Sequence, residues 1–267
     1  MQHITSKDNS VIKEIRKIKD KKYRAEKGLF IVEGFRFLEE ALKSSFQVES
    51  IFFSESGLDK FNQLDLDKVI RTDTKLYLIS ENIFKTIGST DNPQGVLALV
   101  RNRVEHEPIV LNGTYVLVDK VQDPGNLGTI IRTAHAAACN GVILTKGTVD
   151  VYNEKTLRST MGSIFNITII EDKDLSFIRE LMRKGYKLVC SSLDTDYNFY
   201  DIDFSDNLII SVGNEGNGIS KELYDICDIK VKIPMPGGAE SLNAAVATSI
   251  MLYEGVRQKI RNSLLDR

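Results

Sequence analysis

Hydrophobic positions in the second half of the chain fall into short apolar runs separated by amphipathic stretches. The runs TYVLV, GVILT, YKLVCSS and NLIISVG alternate with helical patterns such as LSFIRELMRKG. Apolar runs of this length are typical of parallel strands that are covered on both faces by the helices joining them. The pattern therefore predicts an α/β domain built on a parallel sheet.

The first half shows the same alternation more weakly. LFIVEG, VESIFFS, KVIRT and QGVLALVR are interpreted as strands, and FRFLEEALKSS, LDKFNQL and a stretch from Glu81 as helices. This order predicts a small α/β sandwich of roughly 75 residues. Residues 102–112 are polar and contain Pro108, so we place a domain boundary there, with domains 1–105 and 106–267.

The sandwich is preceded by a basic amphipathic pattern over residues 9–27, which predicts a helix with an apolar stripe. Basic side chains surround the stripe, among them Lys21, Lys22 and Arg24. Such a charge run is either a solvated helix face or an arm that contacts phosphates. Because the chain as a whole carries a net charge of −2, the local excess of base favours the arm.

Composition narrows the class of protein. The 267 residues include only three cysteines, Cys139, Cys190 and Cys227, far apart and without a C-x-x-C pair. This arrangement argues against a disulfide framework and against a zinc site. The N-terminus lacks a signal peptide, and no apolar run approaches the ~18 residues of a membrane span. We expect a soluble cytoplasmic protein without a membrane or metal partner.

Three polar, glycine-containing loops follow predicted strands: QDPGNLG, GNEGNG and PMPGGAESLN. Ligands of open parallel sheets bind beyond the carboxyl ends of the strands, so neighbouring strands would bring these loops into one crevice. Each loop alone is also compatible with a simple turn. The phosphate-binding patterns G-x-G-x-x-G and G-x-x-x-x-G-K-[ST] are absent, which argues against a nucleotide-dependent oxidoreductase.

The polar residues of these loops each allow two interpretations. Arg132 is a functional cation or a partner in a surface salt bridge. Glu215 is a functional acid or a loop acid favoured by a nearby helix N-terminus. Asn126 is a ligand-facing amide or a helix N-cap, and Ser241 is the predicted N-cap of the last helix. The histidines are not at metal-ligand spacing, so no metal site is predicted.

Taken in order, the three motifs resemble those of the SpoU/TrmH family of S-adenosylmethionine-dependent RNA ribose 2′-O-methyltransferases. They are DPGNLGTIIRTAHAA, LIISVGNEGNGIS and KIPMPGGAESLNAAVA, and the resemblance covers residues 114–260. GLFIVEGFRFLEEAL resembles the N-terminal substrate-binding domain of the family. The resemblance implies a deep trefoil knot in the C-terminal parallel-sheet domain and a homodimer through the knot. Small and apolar residues on several faces of the predicted helix 242–258 agree with a dimer.

The resemblance also implies the roles of individual residues. The catalytic residues would be Arg132, Asn126, Glu215, Ser241 and Asn243. Residues on the second and third loops would bind S-adenosylmethionine: Gly213, Ile233, Met235, Ser241, Leu242 and Asn243. An arginine has a pKa above ~12 and stays charged, so we expect Arg132 to stabilise the developing alkoxide, with Glu215 and Asn126 positioning it.

By resemblance, RNA of the large ribosomal subunit is a more natural substrate than tRNA. An alternative from another class is an RNA-binding ribosome-assembly factor whose catalytic loops are only structural. The motif residues are intact in all three loops, which favours the enzyme. Measuring S-adenosylmethionine binding by the purified protein separates the two.

Overall fold

The computed structural model describes residues 1–64, 66–90, 92–102, 109–192, 194–204 and 207–265. The chain forms two compact units: Met1–Glu105 with Tyr152–Phe165, and His106–Val151 with Asn166–Arg267. The domain boundary predicted between residues 105 and 106 lies outside the described residues. The hydrophobic pattern did not predict that Tyr152–Phe165, here named the insert segment, belongs to the first unit.

Strands and helices alternate along much of the chain. The strands are β1 (Gln2–Ile4), β2 (Leu29–Glu33), β3 (Val48–Phe53), β4 (Lys75–Ile79), β5 (Val96–Arg101), β6 (Thr114–Val118), β7 (Gly141–Thr145), β8 (Thr168–Asp172), β9 (Lys187–Ser191), β10 (Leu208–Val212) and β11 (Ile229–Val231). The helices are α1 (Ser10–Ile18), α2 (Lys21–Lys27), α3 (Phe35–Lys43), α4 (Glu55–Gln63), α5 (Glu81–Ile87), α6 (Pro124–Ala136), α7 (Glu154–Thr160), α8 (Ser176–Arg183), α9 (Lys221–Tyr224) and α10 (Ala244–Leu265). Short 3₁₀ turns occupy Leu66–Val69, Ser163–Phe165 and Phe199–Asp201.

The second unit is built on a six-stranded sheet in the order β11-β9-β10-β6-β7-β8. Every pair in this sheet is parallel. All residues of β6, β7 and β10 are buried, as expected for strands covered on both faces. The predicted parallel sheet is confirmed. The strand order reverses between β6 and β10, and ligands bind at such a switch point.

The first unit contains a mixed five-stranded sheet in the order β1-β4-β3-β5-β2. β1, β4 and β3 run parallel, whereas β5 is antiparallel to both β3 and β2. The prediction of a strand at KVIRT is wrong, because Leu66–Val69 forms a 3₁₀ turn and the strand is β4. Only Tyr77 and Ile79 of β4 are buried, so its apolar pattern is the alternation of a half-buried strand.

The predicted N-terminal helix is two helices. Asp20 begins α2 by accepting a hydrogen bond from the backbone N–H of Tyr23. Arg24 is buried, and its Nη1 donates to the carbonyl oxygens of Ile18 at 2.7 Å and Lys19 at 3.1 Å. The guanidinium thus satisfies carbonyls at the C-terminal end of α1. We therefore withdraw Arg24 from the residues predicted to contact RNA.

The insert segment completes the core of the first unit. The ring of Tyr152 stacks on Phe30 of β2 with ring centroids 4.7 Å apart, and Phe165 lies 6.2 Å from the same ring. Leu157 of α7 is 1% exposed. The segment lies between β7 and β8 in sequence, yet its apolar side chains are buried in the other unit.

The last helix begins later than predicted. Oδ1 of Asn243 accepts from the backbone N–H groups of Ala245 at 2.9 Å and Val246 at 3.3 Å. Asn243, and not Ser241, therefore caps α10. The helix ends at Leu265, beyond residue 258, where the predicted helix ends.

Candidate active site

The site starts at the loop between β6 and α6. Asp123 caps α6 by accepting from the backbone N–H of Asn126 at 2.8 Å, and Pro124 occupies the first helical position. The helix thus begins within the stretch QDPGNLG that was predicted as a loop, and Asn126 lies within its first turn. The alternative that Asn126 is the N-cap is wrong, because Asp123 takes that role.

Glu215 joins the second loop to the first. Nδ2 of Asn126 donates to Oε1 of Glu215 at 2.9 Å. The backbone N–H groups of Gln122 and Asp123 donate to Oε2 and Oε1 at 3.3 and 3.4 Å. Both carboxylate oxygens are therefore bound by the β6–α6 loop, which explains why an acid stands in an otherwise neutral, glycine-rich turn.

Two opposing influences act on the pKa of Glu215. Partial burial, the largest single one, raises the pKa. The hydrogen bonds from Asn126 and from the backbone N–H groups outweigh it together, so the pKa lies below its ordinary value. The carboxylate is ionised at neutral pH and is a poor proton acceptor, so it is suited to positioning.

Asn243 connects the third motif to Asn126. Its Nδ2 donates to Oδ1 of Asn126 at 2.9 Å. Because Oδ1 of Asn243 already accepts the N–H groups of α10, the orientation of its amide is fixed. A directional chain of hydrogen bonds therefore runs from the start of α10 through Asn126 to Glu215.

The sequence did not single out Asn214, which shapes the second loop. Its Nδ2 donates to the carbonyl oxygen of Lys120 at 3.0 Å, and its Oδ1 accepts from two backbone N–H groups of its own loop. Its backbone pairs with Gly218 in both directions at 2.9 Å. An asparagine in a glycine-rich turn is the available signal, because its side chain can bond the backbone two residues on. At Gly213 a Cβ would lie 2.1 Å from the Gly218 carbonyl carbon, so only glycine fits.

A cavity of about 520 Å³ opens beside this network at the ends of β9, β10 and β11. Its volume lies within the usual range of cofactor sites. The predicted cofactor-binding residues that line it are Gly213, Ile233, Met235, Ser241 and Leu242. Asn243 is not among the lining residues. Sequence reasoning missed several lining residues, among them Ser192, Asp194, Tyr224 and Glu240.

The cavity suits the cofactor that the resemblance implies. The hydroxyls of Ser192 and Tyr224 lie 2.9 Å apart on its wall, and the carboxylates of Asp194 and Glu240 also line it. Carboxylates attract the positive sulfonium and amino groups of S-adenosylmethionine, and the hydroxyls can bond its polar atoms. The backbone of Gly213 permits close approach of a ligand.

Arg132 stands apart from these contacts. It is exposed on α6, one turn after the buried Gly128. Over the described part of the chain, Arg132 makes no hydrogen bond or ion pair, so no salt bridge explains it. Glu215 and Asn126 hydrogen-bond each other, and neither forms a hydrogen bond with Arg132 among the described residues. The structure thus unites three of the predicted catalytic residues, while Arg132 and Ser241 lie outside their hydrogen-bond chain.

Comparisons with known proteins agree with this architecture. The SpoU rRNA Methylase family matches residues 113–253, and the MRM3-like substrate binding domain matches residues 9–98. The 23S rRNA (guanosine(2553)-2′-O)-methyltransferase RlmP of Bacillus subtilis is 36% identical, covering 95% of this chain and 98% of that protein. The AdoMet-bound rRNA methyltransferase from Sinorhizobium meliloti superposes with a TM-score of 0.85 at 35% identity, covering 96% of this chain and 97% of that one.

A relative that modifies tRNA matches less of the chain. The A. aeolicus TrmH/SpoU tRNA modifying enzyme has a TM-score of 0.50 at 28% identity and covers 58% of this chain and 80% of its own. The fold and the joined motifs define an α/β methyltransferase of RNA. The chain belongs to the SpoU rRNA methylase family, as the resemblance predicted. It is an S-adenosylmethionine-dependent ribose 2′-O-methyltransferase.

Proposed function

We propose that the chain methylates a ribose 2′-hydroxyl of 23S ribosomal RNA. The observation that carries this proposal is coverage: relatives named for rRNA match 89–96% of the chain and therefore both units. Two structures named for tRNA modification match 56% and 58%. The first unit is thus matched in the relatives named for ribosomal RNA. This makes tRNA the weaker alternative as a substrate.

The hydrogen-bond chain supports an enzyme over a non-catalytic assembly factor. S-adenosylmethionine, bound in the 520 Å³ cavity, supplies the methyl group. Asn243, Asn126 and Glu215 hold the start of α6 beside that cavity. Holding two reactants in line is worth roughly 7–11 kcal/mol at best, so rigid joining of the loops serves the transfer directly.

In this proposal Arg132 stabilises the charge that develops on the ribose oxygen. Its guanidinium has no partner among the described residues and is exposed to a bound RNA. An arginine stays protonated, so its part is electrostatic and not that of a base. Glu215 acts one step away, by fixing the loop from which α6 and Arg132 extend.

The first unit is proposed to select the RNA, and the second to bind the cofactor. Lys21 and Lys22 are exposed on α2. The Nζ atoms of Lys17 and Lys27 lie 5.7 and 5.5 Å from the ring centroid of Tyr23. These cations form a basic patch that fits the phosphates of RNA.

The proposal includes a homodimer in which α10 packs against a second copy. Three large apolar side chains are exposed on this helix at seven-residue spacing: Val246 (46%), Tyr253 (51%) and Ile260 (57%). Residues seven apart share one face of a helix. In a symmetric homodimer, α10 of one copy packs against α10 of the other. Such pairing would cover this apolar face.

The knot and the compartment belong to the same proposal. A trefoil knot is the topology that the family resemblance implies for the C-terminal segment. The described helices include none with the length and apolar content to cross a membrane. No group of three or more His, Cys, Asp or Glu side chains among the described residues is arranged to hold a metal. Action on ribosomal RNA would place the protein in the cytoplasm.

Mapping of 2′-O-methyl groups in cellular RNA tests the proposal. We expect one 23S rRNA ribose to lose its methyl group when the gene is deleted and to regain it with the wild-type gene. A variant with Arg132→Ala serves as the control for complementation. If the missing methyl group lies on tRNA, or if no position changes, the proposed substrate is wrong.

A further inference from the structure

The second unit contains another cavity, of about 400 Å³, at the carboxyl ends of β6, β7 and β8. It is here named the polar cavity and is lined by residues including Asp119, Lys120, Lys146, Lys173 and Arg179. The polar cavity and the cofactor cavity share none of their described lining residues. It is therefore a separate site at the same edge of the sheet.

Cations outnumber acids in the lining of the polar cavity, four to three. Four cations line it: Lys120, Lys146, Lys173 and Arg179. The chain as a whole carries a net charge of −2, so this concentration does not follow from composition. Lys173 also pairs with Glu171 at 2.9 Å, outside the lining.

The acids of the polar cavity offset these cations only in part. Asp119 is 1% exposed, and its two oxygens accept from Oγ1 of Thr145 at 2.8 Å and the backbone N–H of Ser220 at 2.6 Å. These bonds connect Asp119, directly after β6, to the end of β7 and to Ser220, which follows the second loop. Asp174 and Glu222 are the other acids in the lining, against four cations.

Lys120 links the polar cavity to the active site. Its φ of +56° is uncommon for a residue with a side chain, and such backbone strain clusters at functional sites. Thr145 and Thr148 hold its backbone N–H at 3.2 and 3.1 Å, while its carbonyl oxygen accepts from Asn214. Asn214 directly precedes Glu215 in the chain. Lys120 in the polar cavity is therefore hydrogen-bonded to the residue next to Glu215.

We propose that the polar cavity binds a phosphodiester group of the substrate RNA, next to the ribose that is methylated. The proposal rests on the proposed function. Several cations at the edge of a fixed loop suit a phosphate, and the planar fork of Arg179 can bond two phosphate oxygens at once. Phosphate contacts set the register of a nucleic acid without reading its sequence. This contact therefore positions the ribose beside the Asn126–Glu215 pair.

The test uses the full-length chain with Lys146→Ala and Arg179→Ala, and Lys184→Ala as the matched control. Lys184 is exposed at the end of the same helix as Arg179 and lies outside the polar cavity. Binding of a 23S rRNA fragment is measured at several salt concentrations between about 50 and 200 mM. We expect each cavity variant to lower the slope of log affinity against log salt by about 0.7, the value for one single-strand phosphate contact.

Kinetics and charge-preserving variants separate this role from a structural one. The KM for RNA should rise several-fold in both cavity variants, while S-adenosylmethionine affinity and the thermal transition stay unchanged. Lys146→Arg keeps the charge and should restore the slope. An unchanged slope and KM, or an equal loss in Lys184→Ala, would overturn the proposal. Because binding is read without transfer, a failure of methylation by the wild type counts against the proposed function alone.

Discussion

Asn243 and Asn126 are 117 positions apart in sequence, and their side-chain amides meet at 2.9 Å. Asn243 caps α10 while Asn126 bonds Glu215. The start of the last helix, the first turn of α6 and the loop after β10 are thereby fixed to one another. Small movements of any of these three elements must change the geometry of the others.

Glu215→Gln should weaken the hydrogen bonds that connect these three elements. The carboxylate accepts three N–H groups, whereas a glutamine amide would turn a donor toward them. We expect methyl transfer to fall by roughly 10²-fold, as for loss of a preorganised electrostatic contact. Single-turnover transfer is the measurement, and Glu180→Gln, on the exposed face of α8, is the control. Transfer at the wild-type rate in Glu215→Gln would show that the hydrogen bonds to the Glu215 carboxylate are not needed for methyl transfer.

The same carboxylate predicts a pH dependence of stability. Its pKa is lower in the folded chain than in the unfolded one, so its contribution is fully present above the ordinary glutamate pKa. That contribution is lost as the pH falls through the lowered folded pKa. We therefore expect the difference in unfolding free energy between wild type and Glu215→Gln to shrink on acidification from neutral pH. Urea unfolding at several pH values checks this, and a constant difference contradicts it.

Arg132→Ala should remove transfer and leave the fold intact. The side chain is exposed and bonds no described residue, so its loss breaks no contact. We expect a fall of ~10²–10³ in rate with nearly unchanged cofactor affinity and thermal transition. Arg132→Lys should restore little, because the planar fork is lost.

The measurement is single-turnover transfer with calorimetric cofactor binding on the same preparations. Arg183→Ala, an exposed arginine of α8, is the matched control. Near-normal transfer in Arg132→Ala, or unfolding of that variant, would exclude the electrostatic role.

Tyr253→Glu should split the proposed dimer. A charge at the centre of the apolar face of α10 would have to be buried without a partner. Light scattering at micromolar concentration should show a dimer for the wild type and a 30 kDa species for the variant. Leu64→Glu, at 45% exposure in the first unit, should stay dimeric. A wild type that scatters as a monomer would refute the prediction.

The basic patch predicts a change in salt dependence. Replacing Lys21 and Lys22 together with Ala should weaken RNA binding and reduce its salt slope by about 0.7 for each lost phosphate contact. Lys43→Ala, whose ammonium bonds Glu39, is the control. Arg24→Ala should instead lower thermal stability, since it leaves the carbonyls of Ile18 and Lys19 unsatisfied. An unchanged slope in the double variant would remove α2 from the RNA interface.

Local patterns predicted the parallel sheet and the three loops, because buried strands and polar turns are determined by residues that are adjacent in sequence. The amide of Asn243 as a cap was missed because Ser241 has a similar preference for that position. The polar cavity was missed for a different reason: its cations are far apart in sequence. Lys120, Lys146 and Lys173 follow three strands, whereas Arg179 lies on α8. Only the strand order and the packing of α8 bring them together, and no local pattern reveals this.

The insert segment is synthesised well after the rest of the first unit. The sheet of the first unit is complete in sequence at Arg101, but Phe30 gains its stacking partners only with Tyr152 and Phe165. At 5–20 residues per second, roughly 60 further residues take about 3–12 seconds. During that interval the aromatic surface around Phe30 lacks two of the rings that pack on it in the folded protein. The first unit therefore cannot complete its core until residues 106–151 of the second unit have been synthesised.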